Sequence, residues 1–430
     1  MNSHHLSEMS EHKSIDEIIT MEKVYAAAER IKEGGVVETE LLDSDNLQTV
    51  TGCKLYLKLE NQQRCRSFKI RGAYNKIKQL PEGSTVVSVS SGNHAQGIAC
   101  AAGLCHCNAI IYMSNHVPND KINATKQYGA TVVQKGENFD GALAALQADL
   151  ADHPDWIYVS PFDDEDIIVG NATLGLELFN QINDVQTVVI PVGGGALIAG
   201  VSYALKKLNP KIKIIGVQMS SSPKSYNLWC KNNGLDKNVV ERDSLTPLAD
   251  GIAIRNPGEL CLPFIYELVD DFVIVKEDEV ALAVSLLAER GKMIAEGAGA
   301  AAFAAVNSKK FEFSDNEVVV AIVSGGNIPL QLLARCIDRA LFLNGTRKSL
   351  QVILPYGTKY LYTMTTLLVE NHAEVVSYSS IPHIDTVANK EHYSVIIDVA
   401  NPESVATIVS EFQKRGWGIS VSDTAVIDEE

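Results

Sequence analysis

One pattern extends over most of the chain and limits the folds it can adopt. Across residues 18–344, short runs of β-branched and apolar residues alternate with longer Ala-rich amphipathic segments. The strand-like runs occupy 55–59, 85–88, 108–112, 131–134, 187–191, 213–218 and 317–323. The helical patterns include 96–102, 139–150, 196–208 and 280–295. Because strands that alternate with helices form βαβ units, the sequence predicts an α/β fold with mostly parallel sheets.

Three of the strand-like runs end directly in turns of small residues. These turns are Ser-Ser-Gly-Asn at 90–93, three successive glycines at 193–195 and Ser-Gly-Gly-Asn at 324–327. In open α/β sheets, ligands bind beyond the carboxyl ends of the strands. We therefore expect the three turns to converge on one ligand site.

The pattern changes after about residue 347. Strand-like runs at 349–355, 373–381, 392–400 and 417–423 enclose helical patterns at 358–372 and 402–415. The resulting order, βαββαβ, is that of ferredoxin-like α+β domains. We therefore predict a flexible tail of residues 1–17, a main α/β domain of residues 18–346 and a separate α+β domain of residues 347–430.

Charge and hydropathy exclude several classes of partner. The formal net charge of −16 at pH 7 opposes binding to nucleic-acid phosphates and to anionic lipid surfaces. The sequence contains no uninterrupted apolar run of about 18 residues, the length of a transmembrane helix, and residues 1–17 lack the apolar core of a signal peptide. We expect a cytoplasmic protein that binds neither nucleic acid nor membranes.

A lysine in the segment Ser-Phe-Lys-Ile-Arg-Gly-Ala, at positions 67–73, is the first candidate for catalysis. A lysine that is shielded from water has a lowered pKa and can act as a nucleophile. Lys69 follows a predicted strand and has apolar neighbours on both sides. A solvated lysine at the start of an amphipathic helix would give the same local pattern, so this segment alone does not decide its role.

Two strand-to-helix turns have the composition of anion sites. The turn at 90–94 combines hydroxyl groups with the N–H groups of a helix start, which can hold a carboxylate. An ordinary capped helix also uses such residues. The glycines at 193–195 let backbone N–H groups approach a phosphate closely, although a tight turn has the same composition. Their spacing fits neither a dinucleotide fingerprint nor a P-loop.

Cys105, His106 and Cys107 form the densest group of metal-binding residue types. Metal sites normally pair such a group with a second set of ligands further along the chain, and the sequence offers none. We therefore predict no metal site.

Taken in order, these motifs resemble those of the threonine and serine dehydratases, which are fold-type II pyridoxal-phosphate (PLP) enzymes. The resemblance covers residues 20–344, and weaker similarities lie at 160–164, 249–253 and 296–300. It implies the fold of the tryptophan-synthase β subunit, with two lobes of mostly parallel sheet and a small lobe of about residues 59–154 inserted in the large one. It also implies PLP as the cofactor, bound covalently to Lys69.

The resemblance assigns roles to individual residues. The catalytic residues that it implies are Lys69 and Ser91. Cofactor contacts are implied for Phe68, Lys69, Asn93, Gly193, Gly194, Gly195, Ala196, Leu197, Glu296 and Ser324. Substrate contacts are implied for Ser90, Ser91, Gly92, Asn93, His94 and Gly251. Gln218 stands where a glutamate often contributes to a cation site in this family, which also argues against a bound metal.

The implied reaction is a β-elimination that converts L-threonine or L-serine to 2-oxobutanoate or pyruvate and ammonia. Lys69 would take the α-proton, and the neutral hydroxyl of Ser324 would face the pyridine nitrogen of the cofactor. A neutral partner makes the ring a weaker electron sink, which favours prompt loss of the β-hydroxyl group as water. The choice among threonine, serine and a hydroxyaspartate depends on the shape of the pocket, and the sequence leaves it open.

Three other functions are compatible with the motifs. The serine racemases that resemble this family carry serine at the position of Ser91, where it serves as the second acid/base group. A β-replacement enzyme of the cysteine-synthase type would use a similar fold with a different substrate loop. A non-catalytic PLP-binding regulatory protein would have little reason to retain Lys69, Asn93 and Ser324 together.

The domain of residues 347–430 resembles the amino-acid-binding ACT domain in the order of its elements. The Asp-Arg-Pro-Gly turn that usually follows the first strand is replaced by Pro-Tyr-Gly-Thr at 355–358. We expect this domain to act in regulation or assembly, with isoleucine or valine as the effectors that the resemblance implies. We also expect a homo-oligomer, because one face or edge of its sheet remains to pair with a second copy.

Overall fold

The computed structural model describes residues 14–240, 247–381 and 389–422. The described residues form two compact units, one ending at Pro329 and the other beginning at Leu330. We expected the boundary near residue 347. The helix Leu330–Leu343 instead groups with the second unit because it packs against that unit's first strand.

The first unit contains a large six-stranded sheet. Its strands are β1 (Leu41–Asp43), β2 (Lys54–Lys58), β7 (Thr187–Pro191), β8 (Lys213–Met219), β9 (Asp271–Val275) and β10 (Val318–Ile322). The strand order is β1-β2-β10-β7-β8-β9, and only β1 runs antiparallel to its neighbour. The central strand β7 is buried along its whole length, as expected for a parallel strand covered on both faces.

A smaller sheet of four parallel strands forms the second lobe of this unit. Its strands are β3 (Thr85–Val89), β4 (Asn108–Met113), β5 (Thr131–Gln134) and β6 (Ile157–Tyr158), in the order β5-β4-β3-β6. The two parallel sheets confirm the predicted fold class. Strands β3, β4 and β5 lie within the segment of about residues 59–154 that we predicted for the small lobe, whereas β6 lies just beyond it.

Helices follow most of the strands of both sheets. The helices of the first unit are α1 (Ile15–Ile18), α2 (Met21–Glu33), α3 (Asp45–Thr51), α4 (Lys69–Ile77), α5 (Asn93–Leu104), α6 (Asn119–Lys126), α7 (Phe139–Asp152), α8 (Glu165–Gln181), α9 (Ala196–Leu208), α10 (Lys224–Asn232), α11 (Leu262–Leu268), α12 (Glu277–Glu289) and α13 (Gly297–Asn307). Single 3-10 turns lie at Glu60–Gln62 and Asp250–Ile252. None of the described helices combines the length and apolar character needed to cross a bilayer.

The N-terminal prediction needs one correction. Residues 1–13 of the predicted tail lie outside the described residues, but residues 14–17 are not a tail. They form most of α1, in which Ile15 and Ile18 are buried in the core of the first unit. Two apolar side chains at a spacing of three residues suffice to fix this single helical turn against the core.

Close helix packing fixes the position of α4, the helix that begins at Lys69. An ideal Cβ atom at Gly170 of α8 would lie 2.6 Å from the carbonyl oxygen of Arg71, so only glycine allows the two helices to approach this closely. A Cβ atom at Gly200 of α9 would lie 2.5 Å from the carbonyl oxygen of Ile168. Glycines on α8 and α9 therefore let α4, α8 and α9 pack with their backbones nearly in contact.

The second unit is a ferredoxin-like domain preceded by a helix. Its elements are α14 (Leu330–Leu343), β11 (Arg347–Pro355), α15 (Thr358–Glu370), β12 (Ala373–Ile381), β13 (Lys390–Val399), α16 (Ser404–Lys414) and β14 (Gly418–Ser422). The strands pair antiparallel in the order β12-β13-β11-β14. This topology confirms the predicted βαββαβ arrangement. Residue 423 of the predicted last strand lies outside the described residues.

Candidate active site

Lys69 lies where two distant parts of the chain meet. Ser67 forms an isolated antiparallel bridge with Gly325, and the N–H group of Phe68 donates to the carbonyl oxygen of Ser324 at 3.1 Å. These contacts join the start of α4 to the turn after β10. The lysine segment at 67–73 therefore lies directly beside the turn at 324–327.

The Lys69 amine is set in a protein environment that favours its neutral form. Its Nζ atom donates to the carbonyl oxygen of Pro161 at 2.8 Å and lies 5.2 Å from the centre of the Phe68 ring. The side chain is half-buried, and burial of the amine lowers the pKa of Lys69 to about 8. A substantial fraction of Lys69 is therefore neutral near pH 8 and can act as a nucleophile or a base.

An ionic network holds the helix of Lys69 from its buried side. Arg71 donates to both carboxylate oxygens of Glu60, each at 2.7 Å, and to both oxygens of Glu177, each at 2.7 Å. Arg71 and Glu60 are fully buried, and Lys58 adds a second ion pair to Glu177 at 3.0 Å. Two residues after Lys69, the chain is therefore fixed by bidentate ion pairs to α8 and to the 3-10 turn that follows β2.

Asn93, at the start of α5, links the two lobes through a pair of side-chain hydrogen bonds. Its Nδ2 atom donates to Oε1 of Glu296, and its Oδ1 atom accepts from Nδ2 of Asn327 at 2.7 Å. Burial, and secondarily the charge of Asp250, raises the pKa of Glu296 to about 7, although the hydrogen bond from Asn93 opposes this shift. Glu296 is therefore a carboxyl group that titrates near neutral pH.

The three glycines between β7 and α9 pack so closely against neighbouring residues that a side chain has no room at positions 194 and 195. A Cβ atom at Gly194 would lie 2.1 Å from the Phe162 ring, and one at Gly195 would lie 2.6 Å from Cβ of Cys261. Gly195 also has a φ of 102°, which favours glycine. Ala196 and Leu197 follow as the first residues of α9, whose N-terminal N–H groups suit a phosphate group.

The loop after β3 presents small polar groups next to Asn93. Ser90, Ser91 and Gly92 are half-exposed, and Oγ of Ser90 accepts from the N–H group of Gly92 at 3.2 Å. His94 differs from them, because its buried ring places Nε2 3.3 Å from the carbonyl oxygen of Val159.

Burial and the nearby charge of Lys69 lower the pKa of His94 to about 3, so the ring stays neutral. The ring therefore cannot offer a positive charge to a substrate carboxylate. The predicted contact of His94 with the substrate stays a prediction.

Gly251 completes the wall between the glycine turn and Glu296. A Cβ atom at Gly193 would lie 3.1 Å from the carbonyl oxygen of Gly251, and one at Gly251 would lie 3.9 Å from Oε1 of Glu296. Ser324 is buried, and its Oγ atom donates to the carbonyl oxygen of Ala298 at 3.3 Å. In this cleft, Asn93 and Asn327 join two of the three turns directly, and Gly251 lies between Gly193 of the third turn and Glu296.

Some residues around the cleft have no marked motif in the sequence. Pro161 and Phe162 lie in a segment with only weak similarity to the family, and Lys121 and Asp250 form a cross-cleft ion pair at 2.8 Å that no local pattern indicates. Asn327 belongs to a turn that the sequence marks, but nothing in the sequence indicates that its amide donates to Asn93. Contacts of this kind depend on the tertiary fold rather than on the local sequence.

Comparison with known proteins gives the class of the chain. Residues 32–325 match the sequence model of a family described as pyridoxal-phosphate-dependent enzyme. This match covers more than half of the chain, so the chain belongs to the family of pyridoxal-phosphate-dependent enzymes.

Individual relatives narrow the class. The chain is 40% identical over 365 residues to the L-threonine ammonia-lyase of Thermotoga maritima, which is 84% of this chain and 88% of the relative. These values confirm the resemblance to the threonine and serine dehydratases.

Two solved structures are similar to the fold. The processed form of threonine deaminase isoform 2 from Solanum lycopersicum has a TM-score of 0.68 and 34% identity and covers 76% of this chain and 96% of its own. Maize serine racemase has a TM-score of 0.67 and 28% identity and covers 77% of this chain and 99% of its own. Both are similar over a stretch about as long as the first unit.

PLP is the cofactor of the family, and the cleft suits it. The glycine turn offers backbone donors without side chains to a phosphate group, and Lys69 offers a partly neutral amine to an aldehyde. Among the described residues, no group of three or more His, Cys, Asp or Glu side chains is arranged to hold a metal ion. The individual cofactor and substrate contacts remain predictions.

Proposed function

We propose that this protein is a PLP-dependent threonine ammonia-lyase, which converts L-threonine, and L-serine as a second substrate, to a 2-oxo acid and ammonia. The observation that carries the proposal is a half-buried lysine with a lowered pKa, Lys69, in one cleft with a glycine cradle at 193–195 and a hydroxyl-rich loop at 90–93. PLP, when bound, supplies the sink for the electrons that the departing α-proton leaves behind.

The chain's own residues perform the remaining steps. The half-exposed loop at 90–92 and the first N–H groups of α5 bind the substrate carboxylate, which places the α-proton towards Lys69. Lys69 takes this proton as its neutral amine, and the lowered pKa provides that form near pH 8. The β-hydroxyl group leaves as water, and hydrolysis of the unsaturated product releases ammonia and the 2-oxo acid.

Ser324 favours elimination over slower reactions that begin with the same loss of the α-proton. Its neutral hydroxyl group is buried behind the Ser67–Gly325 bridge, where the resemblance places the pyridine nitrogen of the cofactor. A hydroxyl group does not hold the ring nitrogen protonated as a carboxylate would. With a hydroxyl partner, the ring would be a weaker electron sink, which would favour prompt loss of the β-substituent.

Racemisation is the second candidate function, and Ser91 is the observation that favours it. Racemisation needs an acid on the face of the substrate opposite Lys69. Ser91 is half-exposed in the loop that precedes Asn93, and a serine racemase is among the similar structures. Elimination needs no such second group, which is why we place it first.

The deciding experiment uses the purified PLP-loaded protein with L-threonine, L-serine and L-3-hydroxyaspartate in parallel. The amount of 2-oxo acid and the ratio of enantiomers are measured in each reaction. We expect L-threonine to give 2-oxobutanoate faster than any D-amino acid is formed. Formation of D-serine from L-serine faster than pyruvate would contradict the proposal and favour the racemase.

Three further features of this proposal concern the whole protein. The second unit acts in regulation or assembly, with a branched-chain amino acid as effector. The protein forms a homo-oligomer and works in the cytoplasm. The ferredoxin-like fold of the second unit supports the role in regulation or assembly.

A further inference from the structure

An ion pair crosses the cleft of the first unit beside the candidate active site. Nζ of Lys121 lies 2.8 Å from Oδ2 of Asp250. Lys121 belongs to α6, which connects β4 and β5 of the small sheet, whereas Asp250 begins the 3-10 turn between β8 and β9 of the large sheet. The pair therefore connects the two lobes.

The pair lies next to Glu296 through Gly251. Gly251 directly follows Asp250, and a Cβ atom at Gly251 would lie 3.9 Å from Oε1 of Glu296. The backbone that carries Asp250 therefore passes close to the Glu296 carboxyl group. Lys121 binds the Asp250 side chain from the opposite lobe.

Two charged and two neutral groups act on the Glu296 carboxyl group. The charge of Asp250 raises its pKa, and the charge of Lys121 lowers it. From α5, Asn93 donates a side-chain hydrogen bond, and from the turn after β10, the backbone N–H group of Asn327 adds a second one. The α13 helix that begins after Glu296 contributes no charged side chain.

We propose that Lys121 and Asp250 are positioning residues of the reaction: their ion pair joins the two lobes beside Gly251 and places one positive and one negative charge near the Glu296 carboxyl group. Glu296 in turn accepts a hydrogen bond from the amide of Asn93, which the resemblance places near the cofactor and the substrate. The proposal rests on the proposed function only for its activity assay.

Because the charges of Asp250 and Lys121 act on the pKa of Glu296 in opposite directions, variants of the two residues should move the pH profile in opposite directions. A purely structural role of the ion pair would not produce such opposite shifts. In Asp250→Asn the loss of a negative charge lowers the pKa of Glu296, so the corresponding limb of the pH profile of kcat/KM moves to lower pH. In Lys121→Met the loss of a positive charge moves the same limb to higher pH. For a partly exposed charge we expect a shift of about half a pH unit in each case.

A neighbouring ion pair supplies the matched control. Arg255 and Asp140 also connect the two lobes, at 3.9 Å, but both are largely exposed and neither is among the charges that act on Glu296. Asp140→Asn should therefore leave the pH limb in place. Lys121→Arg keeps the charge and should restore the profile of the unmodified protein.

A second measurement does not depend on turnover. Urea unfolding of the PLP-free protein is followed between pH 4 and pH 8, about the range in which Glu296 titrates. The pH at which stability falls should move down in Asp250→Asn and up in Lys121→Met. If both variants move it in the same direction, or neither moves it, the inference is wrong. If the shifts occur but L-threonine is not consumed, the inference stands and the proposed function fails.

Discussion

Burial shifts two ionisable groups of the cleft towards neutral pH from opposite directions. It lowers the pKa of Lys69 to about 8 and raises that of Glu296 to about 7. In each case the uncharged form is favoured because a charge loses its hydration inside the protein. Groups whose pKa values are moved towards the working pH in this way are typical of acid–base sites, where a proton must both leave and return.

The raised pKa of Glu296 predicts a loss of stability with rising pH. Below its usual pKa of 4.5 the group is protonated in both the folded and the unfolded chain, and above about 7 it is ionised in both. Between these values the folded protein loses about 3 kcal/mol that it had at low pH. Glu296→Gln should remove this decline, as measured by urea unfolding at pH 5 and pH 8. An equal decline in the variant would contradict the assignment.

Removal of the Ser91 hydroxyl group tests whether elimination or racemisation depends on it. Ser91→Ala removes the hydroxyl group and leaves Lys69 and Ser324 in place. We expect the rate of 2-oxobutanoate formation from L-threonine to change less than about threefold, a loss below 1 kcal/mol of transition-state stabilisation. Any formation of D-serine should disappear. Loss of both activities in a folded, PLP-loaded variant would show that Ser91 takes part in elimination.

At the scale of elements, the glycine turn between β7 and α9 is the part of the cleft most sensitive to added volume. In Gly194→Ala the new methyl group overlaps the Phe162 ring, so the turn or the ring must move. Overpacking of this kind costs about 1–3 kcal/mol, and we expect PLP to bind about 10 to 100 times more weakly. Absorbance titration of the PLP-free protein measures this affinity.

Gly103→Ala is the matched control for that variant. Gly103 lies in α5, and a Cβ atom there would meet only the carbonyl oxygen of Tyr128, at the ordinary distance of 3.5 Å. Its PLP affinity should equal that of the unmodified protein. If Gly194→Ala also keeps full affinity, the turn at 193–195 does not hold the phosphate group.

The local sequence pattern predicted the bounds of those strands and helices that depend mainly on the intrinsic preferences of their residues. The runs at 131–134 and 187–191 became β5 and β7 with the predicted bounds, since β-branched residues between turn residues favour strands. The helix predicted at 280–295 ends at Glu289 instead. Gly291 follows, and Lys292 has a φ of 55°, so the chain turns although its apolar residues continue.

The sequence predicted only part of the site, because local motifs do not show which distant residues meet in the fold. The motif at 67–73 indicated Lys69, and the three glycines at 193–195 indicated the phosphate cradle. The pairing of Asn93 with Glu296, which are 203 positions apart, depends on how the two lobes fold together. The ion pair of Lys121 with Asp250 likewise has no counterpart in local sequence, because an exposed lysine on a helix has the same pattern whether or not it is paired.

At the scale of the whole molecule, every predicted site residue precedes the boundary at Pro329. The family match also ends before it, at residue 325. A chain that ends at Pro329 should therefore bind PLP and convert L-threonine at a rate similar to that of the full chain. Its oligomeric state, or its response to isoleucine or valine, should change. A folded, PLP-loaded truncated protein without turnover would mean that the second unit contributes to the chemistry.

The identity of the reactive lysine is the point on which the whole account depends. Lys58 is the appropriate comparison, because it is also buried but is held by Glu177, Gln181 and the carbonyl oxygen of Thr39. Borohydride reduction of the PLP-loaded protein makes the bond between cofactor and lysine permanent, and peptide mapping then locates it. We expect the label on Lys69. A label on Lys58 or on any other lysine would contradict the assignment of Lys69 as the reactive residue.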